Sequence, residues 1–214
     1  MNHKRPQNIL VTGSTADIGT ELIHVLGTTY RNKFNVIGGV HKHADSSALR
    51  PHCKAIVPLD YDQLATVEAA LTDIDYLFFV PVHSRQRAQL AQDVIKIAKQ
   101  KRIKYVVLVS LLGCESRIGV FCSQFKEIED SFVASGIPLT ILRCSPLQQN
   151  MMAMQGNFRE QIGTITMPIG TGGYSPIHVK DVAKAAAALF CHPSEHYGKT
   201  YRITGPEILS GSFI

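Results

Sequence analysis

The residues best placed to do chemistry stand close to the start of the chain, in Ile9-Leu10-Val11-Thr12-Gly13-Ser14-Thr15-Ala16-Asp17-Ile18-Gly19. An apolar run is followed by a glycine turn and then by an amphipathic run, Ile18, Leu22, Ile23 and Leu26. This order predicts a buried strand, a tight turn and a helix. Such a turn cradles a dinucleotide pyrophosphate: Gly13 permits the turn, Gly19 lets the helix approach the strand, and backbone N–H groups at the helix N-terminus face the phosphates. The spacing is G-x-x-A-x-x-G, with Ala16 where a glycine is usual. Alanine still allows fairly close backbone approach. Gly13, Ser14, Thr15, Ala16, Asp17, Ile18 and Gly19 are therefore candidate cofactor-binding residues. The competing reading is an ordinary strand-to-helix turn, but the strand before it and the helix after it favour a cofactor.

Sites specific for NAD carry Asp or Glu at the end of the second strand, where it binds the ribose hydroxyls. This chain has Val40-His41-Lys42-His43 there, and no carboxylate before Asp45. Cationic side chains suit a 2′-phosphate, so NADP(H) is expected in preference to NAD(H), with His41 and Lys42 as contacts. A solvated basic loop is the plainer alternative. His41 and His43 lack a cysteine or carboxylate cluster to complete a metal site, and no metal is expected.

These residues need a frame, and the chain alternates apolar strands with amphipathic helices. Strands are expected at Ile9–Thr12, Asn35–Val40, Ala55–Pro58, Tyr76–Val80, Tyr105–Ser110 and Leu139–Arg143, with a short one at Thr200–Ile203. Helices are expected at Ile18–Thr28, Gln63–Leu71, Arg85–Lys101, Ser123–Ala134 and Asp181–Phe190. Near-continuous apolar strands such as Val106-Val107-Leu108-Val109 imply burial on both faces. The expected fold is α/β: a doubly wound parallel sheet (Rossmann fold) in strand order 3-2-1-4-5-6. The 214 residues fit one NAD(P)-binding domain over 1–214, with 144–214 adding a reduced substrate-side region. Five cysteines, odd in number and without C-x-x-C spacing, argue against a disulfide framework or a zinc site. The net charge of +5 is modest, its basic residues are scattered, and nucleic acid is not an expected partner. No apolar run is long enough for a membrane span, and no signal region precedes the first strand, so a cytoplasmic location is expected.

Further motifs carry a family resemblance. They are Ile9 to Gly19; Asp60-Tyr61-Asp62 after the third strand; Val106 to Ser110, a strand ending in serine; and Glu129 with Ser135-Gly136-Ile137-Pro138-Leu139-Thr140-Ile141-Leu142-Arg143. Asn150, Pro176 to Ala183 and Gly198 to Glu207 follow in order. Together they resemble the NmrA-like atypical short-chain dehydrogenase/reductases, which include quinone-reductase-like enzymes and NADP-sensing regulators. The resemblance implies cofactor contacts from Asp60, Tyr61, Val80, Pro81, Ser110 and Arg143. It places Asp60 near the adenine amino group. Asp62 suits the cap of the next helix, and so does Asp181 for the last one. His178 reads as packed or hydrogen-bonded rather than as a base.

Two departures bear on activity. The Tyr-x-x-x-Lys proton relay of typical short-chain dehydrogenases falls, counted back from Glu129, on Phe121 and Phe125, and neither transfers a proton. Ser110 could polarise a carbonyl, and Cys122 with Lys126, one residue away in register, is a weak alternative pair. The chain also stops at Ser210-Gly211-Ser212-Phe213-Ile214 where the family continues, so the resemblance implies a C-terminally shortened member with an open substrate side. The expected function is an NADPH-dependent reductase of quinone-like acceptors that works without the dyad. The alternative is a non-catalytic NADP(H) sensor acting through a protein partner.

Overall fold

The computed structural model describes residues 5–41, 44–150 and 172–210. Its core is a seven-stranded parallel sheet: β1 (Gln7–Val11), β2 (Phe34–Val40), β3 (Ala55–Pro58), β4 (Tyr76–Phe79), β5 (Tyr105–Leu111), β6 (Leu139–Cys144) and, numbered past a short strand β7 (Gly173–Tyr174), β8 (Thr200–Ile203). The spatial order is β3-β2-β1-β4-β5-β6-β8, and every neighbouring pair is parallel. This is the expected doubly wound order extended by one strand. A two-residue antiparallel pair, β7 with β9 (Leu209–Ser210), lies outside it and was not foreseen.

The strands are buried on both faces, so successive side chains enter two different cores. In β5, Tyr105, Val107 and Val109 join one cluster with helices α1 (Asp17–Thr29) and α5 (Val179–Cys191). Val106 and Leu108 point the other way, to α2 (Leu64–Ala70), α3 (Arg87–Gln100) and α4 (Gly119–Ser135). β1 alternates in the same manner, with Ile9 and Val11 on the first side and Leu10 on the second. Alanine at positions 183, 186 and 187 gives α5 a flat buried face that packs beside α1.

Two caps differ from expectation. Asp62 does not cap α2. The preceding residue is Gln63, which makes no side-chain cap bond, and Asp60 organises the turn instead by accepting from Asp62 N and Gln63 Nε2 at 3.0 Å each. At α5 the cap is His178, whose Nδ1 accepts from Lys180 N at 3.1 Å, and Asp181 sits inside the first turn. α4 also begins a turn earlier than the sequence predicts. Ser123 lies inside it and donates to Arg117 O at 2.8 Å. The added first turn carries Phe121, which stacks against Phe125 at 5.4 Å between ring centroids.

At the N-terminal edge of the sheet, the nearly buried Asp75 carboxylate ties three strands together. It accepts from Lys104 Nζ at 2.7 Å, Asn8 N at 2.9 Å and Arg5 Nη2 at 3.0 Å. Burial pushes this carboxyl up, but the bonds from Lys104 and Asn8 and the charge of Arg5 outweigh it and hold its pKa below the usual value. A depressed folded-state pKa stabilises the fold above the unfolded pKa, and that contribution fades as pH falls through the folded value. Asp75→Ala is expected to lower stability by about 2 kcal/mol at neutral pH. In urea denaturation the gap to the unaltered protein should narrow below about pH 4.

Candidate functional site

The glycine turn between β1 and α1 forms as the spacing requires. Gly13 has φ +61°, a left-handed conformation, and a Cβ there would lie 3.3 Å from Val80 Cβ. A Cβ on Gly19 would fall 2.2 Å from Gly13 O, so only glycine lets α1 start this close to β1. Ser14 Oγ donates to Val11 O at 2.7 Å, Thr20 Oγ1 donates to Ser14 O at 2.9 Å, and Val80 N donates to Thr12 Oγ1 at 2.9 Å. These bonds fix the loop. No side chain caps the N-terminus of α1 at Ala16, so its first-turn N–H groups are left for a ligand.

The turn opens onto a cleft of about 570 Å³ at the C-terminal ends of β1 to β4. Gly13, Ser14, Thr15, Ala16, His41, Asp60, Tyr61, Val80 and Pro81 line it, joined by Gly39, Leu59 and the run Val82 to Ser84. The cleft thus brings together nine of the residues singled out in the sequence. Asp17, Ile18 and Gly19 stand apart from its lining: Asp17 is exposed, and Ile18 and Gly19 are packed beneath the helix start. Lys42 and His43 lie outside the described residues.

Within the cleft, His41 Nε2 is 3.6 Å from Asp60 Oδ2. Among the described residues the buried Tyr61 hydroxyl makes no hydrogen bond of good geometry; burial pushes its pKa up, and the nearby Thr12 side chain offsets part of that. The position of the cleft, the glycine cradle and the uncapped helix fit a dinucleotide. Among the described residues no three of His, Cys, Asp and Glu gather as a metal site, and no helix is long and apolar enough to cross a membrane.

Beyond the cleft, at the ends of β5 and β6, stands a buried ionic network. Glu129 on α4 is 2% exposed. Arg143 grips it with two bonds, Nε to Oε1 at 2.9 Å and Nη2 to Oε2 at 2.7 Å. Ser110 Oγ donates to Oε1 at 2.6 Å, and Cys114 Sγ does so at 3.1 Å. Burial raises the Glu129 pKa, but the bonds from Arg143, Ser110 and Cys114 more than offset this and hold it below the usual carboxylate range. Glu115 extends the network by pairing with Arg143 at 3.1 Å and with Arg202.

The network fixes the surroundings of Ser110 and Arg143. An ionised carboxylate has no proton to give, so the single proton of Ser110 is directed at Glu129. In this arrangement the Ser110 proton points to Glu129 rather than to the open side. Arg143 is likewise paired with two carboxylates, Glu129 and Glu115. Of the alternative pair, Lys126 bonds Asp130, one turn further along the face of α4 that carries Cys122. Sequence reading named Glu129 only as a family motif residue. Its partners come from three separate segments, and no local spacing announces them.

Fold and cleft define the class: a Rossmann-type dinucleotide-binding protein. Comparison with known proteins narrows it. The NAD(P)H-binding family matches residues 13–193, and the chain belongs to that family. It is 27% identical over 205 residues to the NAD(P)H azoreductase of Xenophilus azovorans, covering 95% of this chain and 70% of that one. It is 27% identical over 198 residues to quinone oxidoreductase 2 of Escherichia coli (strain K12), covering 92% and 68%. Among solved structures, an NADPH-dependent quinone oxidoreductase from Escherichia coli in complex with NADPH superposes with a TM-score of 0.80 at 26% identity, over 94% of this chain and 71% of that one. These relatives agree with the family resemblance carried by the motifs.

Gly13→Val places a branched side chain against Val80 and in the space above the turn. It is expected to weaken NADPH binding about a hundredfold or more while the fold persists, because the damage is confined to the phosphate loop. Calorimetric titration with NADPH, beside circular dichroism, checks this.

Proposed function

We propose that this chain is an NADPH-dependent reductase of quinone-like acceptors, acting by hydride transfer without a tyrosine–lysine relay. The observation that carries the reading is the wall beside the cleft. Phe121 and Phe125 stand where a proton relay would be expected, the Ser110 proton is held by Glu129, and Lys126 is held by Asp130. Such a wall suits an acceptor that needs no protein acid. A reduced quinone oxygen can take its proton from water, whereas an alkoxide formed from a ketone needs a donor as it forms.

Bound NADPH would supply the hydride. The chain's own residues bind and orient. The N-terminus of α1 would hold the pyrophosphate, Asp60 and Tyr61 would flank the adenine end, and His41 with Lys42 would meet the 2′-phosphate. The absence of a carboxylate at the end of β2 supports NADPH over NADH. The names of two relatives, an azoreductase and a quinone oxidoreductase, support a conjugated acceptor.

Calorimetry should find NADPH bound more tightly than NADH. In steady-state assays NADPH should be oxidised by quinones, while secondary alcohols and simple ketones show negligible turnover. Cys122→Ala and Lys126→Ala should leave quinone turnover within about twofold, since neither residue reaches the reacting atoms in this reading. Robust ketone reduction lost in both variants would overturn it, as would NADPH binding with no turnover of any acceptor.

A further inference from the structure

Arg87 opens α3 next to the cleft, and it is only 5% exposed. Its Nε donates to Ser84 O at 2.9 Å, and Ser84 lines the cleft. Among the described residues it has no salt-bridge partner and lies instead in cation–π contact with two rings. The guanidinium carbon lies 4.1 Å from the centroid of Phe121 and 5.4 Å from that of Phe125. Burial lowers its pKa from that of free arginine, but an arginine remains charged at neutral pH. The acidic groups of α4 are engaged elsewhere: Glu127 accepts from Gln92, Asp130 pairs with Arg117 and Lys126, and Glu129 with Arg143. A buried cation therefore lies against an aromatic surface, and among the described residues no carboxylate pairs with it.

That surface is presented outward. Phe121 is 46% exposed, and Ile118 and Val120 beside it are 78% and 75% exposed. A cation against one face of a ring draws π-density toward itself. The other face becomes less negative and takes an electron-rich or anionic ring more readily. Apolar contact from Ile118 and Val120 adds a flat border for a planar molecule.

We infer that Phe121, backed by Arg87, is a seat for planar conjugated acceptors that carry a negative charge, such as an aryl sulfonate or carboxylate. Arg87 is the specificity-determining residue, because it selects for charge through the ring. Phe121 supplies the stacking surface, and Ser84 links this seat to the cleft. The inference rests on the proposed reductase reading for its chemistry, but the binding preference itself needs no turnover.

The test is calorimetric titration of the full chain, with and without NADP+, using naphthalene-2-sulfonate and its neutral counterpart naphthalene-2-sulfonamide. The sulfonate should bind about tenfold more tightly, and Arg87→Met should bring the ratio to about one. Phe121→Leu should weaken both ligands about fivefold, through loss of the stacking surface. Equal affinity for the two ligands in the unaltered protein would overturn the inference. So would a preference that survives Arg87→Met in a variant folded by circular dichroism. If Arg87→Met does not fold, Phe121→Leu decides, because its side chain is already half exposed: unchanged affinity for both ligands overturns the seat. Failure of the reductase reading looks different, with no NADPH oxidation by quinones while the sulfonate preference remains. Failure of the seat shows as quinone turnover without any preference for the anion.

Discussion

Parallel pairing is the constraint from which the rest of this structure follows. Two adjacent parallel strands cannot be joined by a hairpin, so each connection must cross back over the sheet. The crossovers here are α1, α3, α4 and α5, together with shorter pieces, and they cover both faces. The sheet is then apolar on both sides, with β5 sending Tyr105, Val107 and Val109 one way and Val106 and Leu108 the other. Because the strands share a direction, their C-terminal ends gather on one edge. The loops that follow them form the cleft there, and the polar anchor at Asp75 closes the opposite edge.

The two halves of that C-terminal edge are built differently. The half at β1 to β4 is shaped by backbone: a left-handed glycine, a helix that starts without a side-chain cap, and an Asp60 turn. It presents the N–H groups of an uncapped helix start beside the cleft. The half at β5 and β6 is shaped by charge. Glu129 gathers Arg143, Ser110 and Cys114 in a site where an unpaired ion would be costly, so each member holds the others in place. The result is rigid and leaves little proton-transfer capacity among these groups.

This division bears on chemistry. A hydride donor supplied by a cofactor asks the protein mainly for position and for exclusion of competing reactions. Backbone groups at the glycine turn can provide position. The wall of α4 adds an aromatic surface at Phe121 and Phe125 with Arg87 beneath it, where a relay of titratable groups would be needed for ketone chemistry. That contrast is what the proposed reduction of quinone-like acceptors rests on.

Much of the frame was legible in the sequence, because it depends on local periodicity. Apolar runs flanked by turn residues placed six of the seven sheet strands and the Thr200–Ile203 edge, and 3.6-residue spacing placed the five helices. The phosphate turn was legible for the same reason: it needs glycine at fixed local positions, and Gly13 and Gly19 stand there. The helix starts were less so. Several residues near each start could cap it: Asp62 and Asp181 were plausible choices that the folded chain passed over, and α4 starts a turn before the expected Ser123. What the sequence could not determine was how side chains from distant segments meet. Arg87 falls within an expected helix with nothing in its spacing to single it out, yet tertiary packing buries it against Phe121 and Phe125. Ser110 reads as a free hydroxyl at a strand end, yet Glu129, nineteen residues on, accepts its proton. Local spacing sets the elements because it acts through backbone geometry, while the state of each polar group depends on which partners the fold brings within hydrogen-bonding reach.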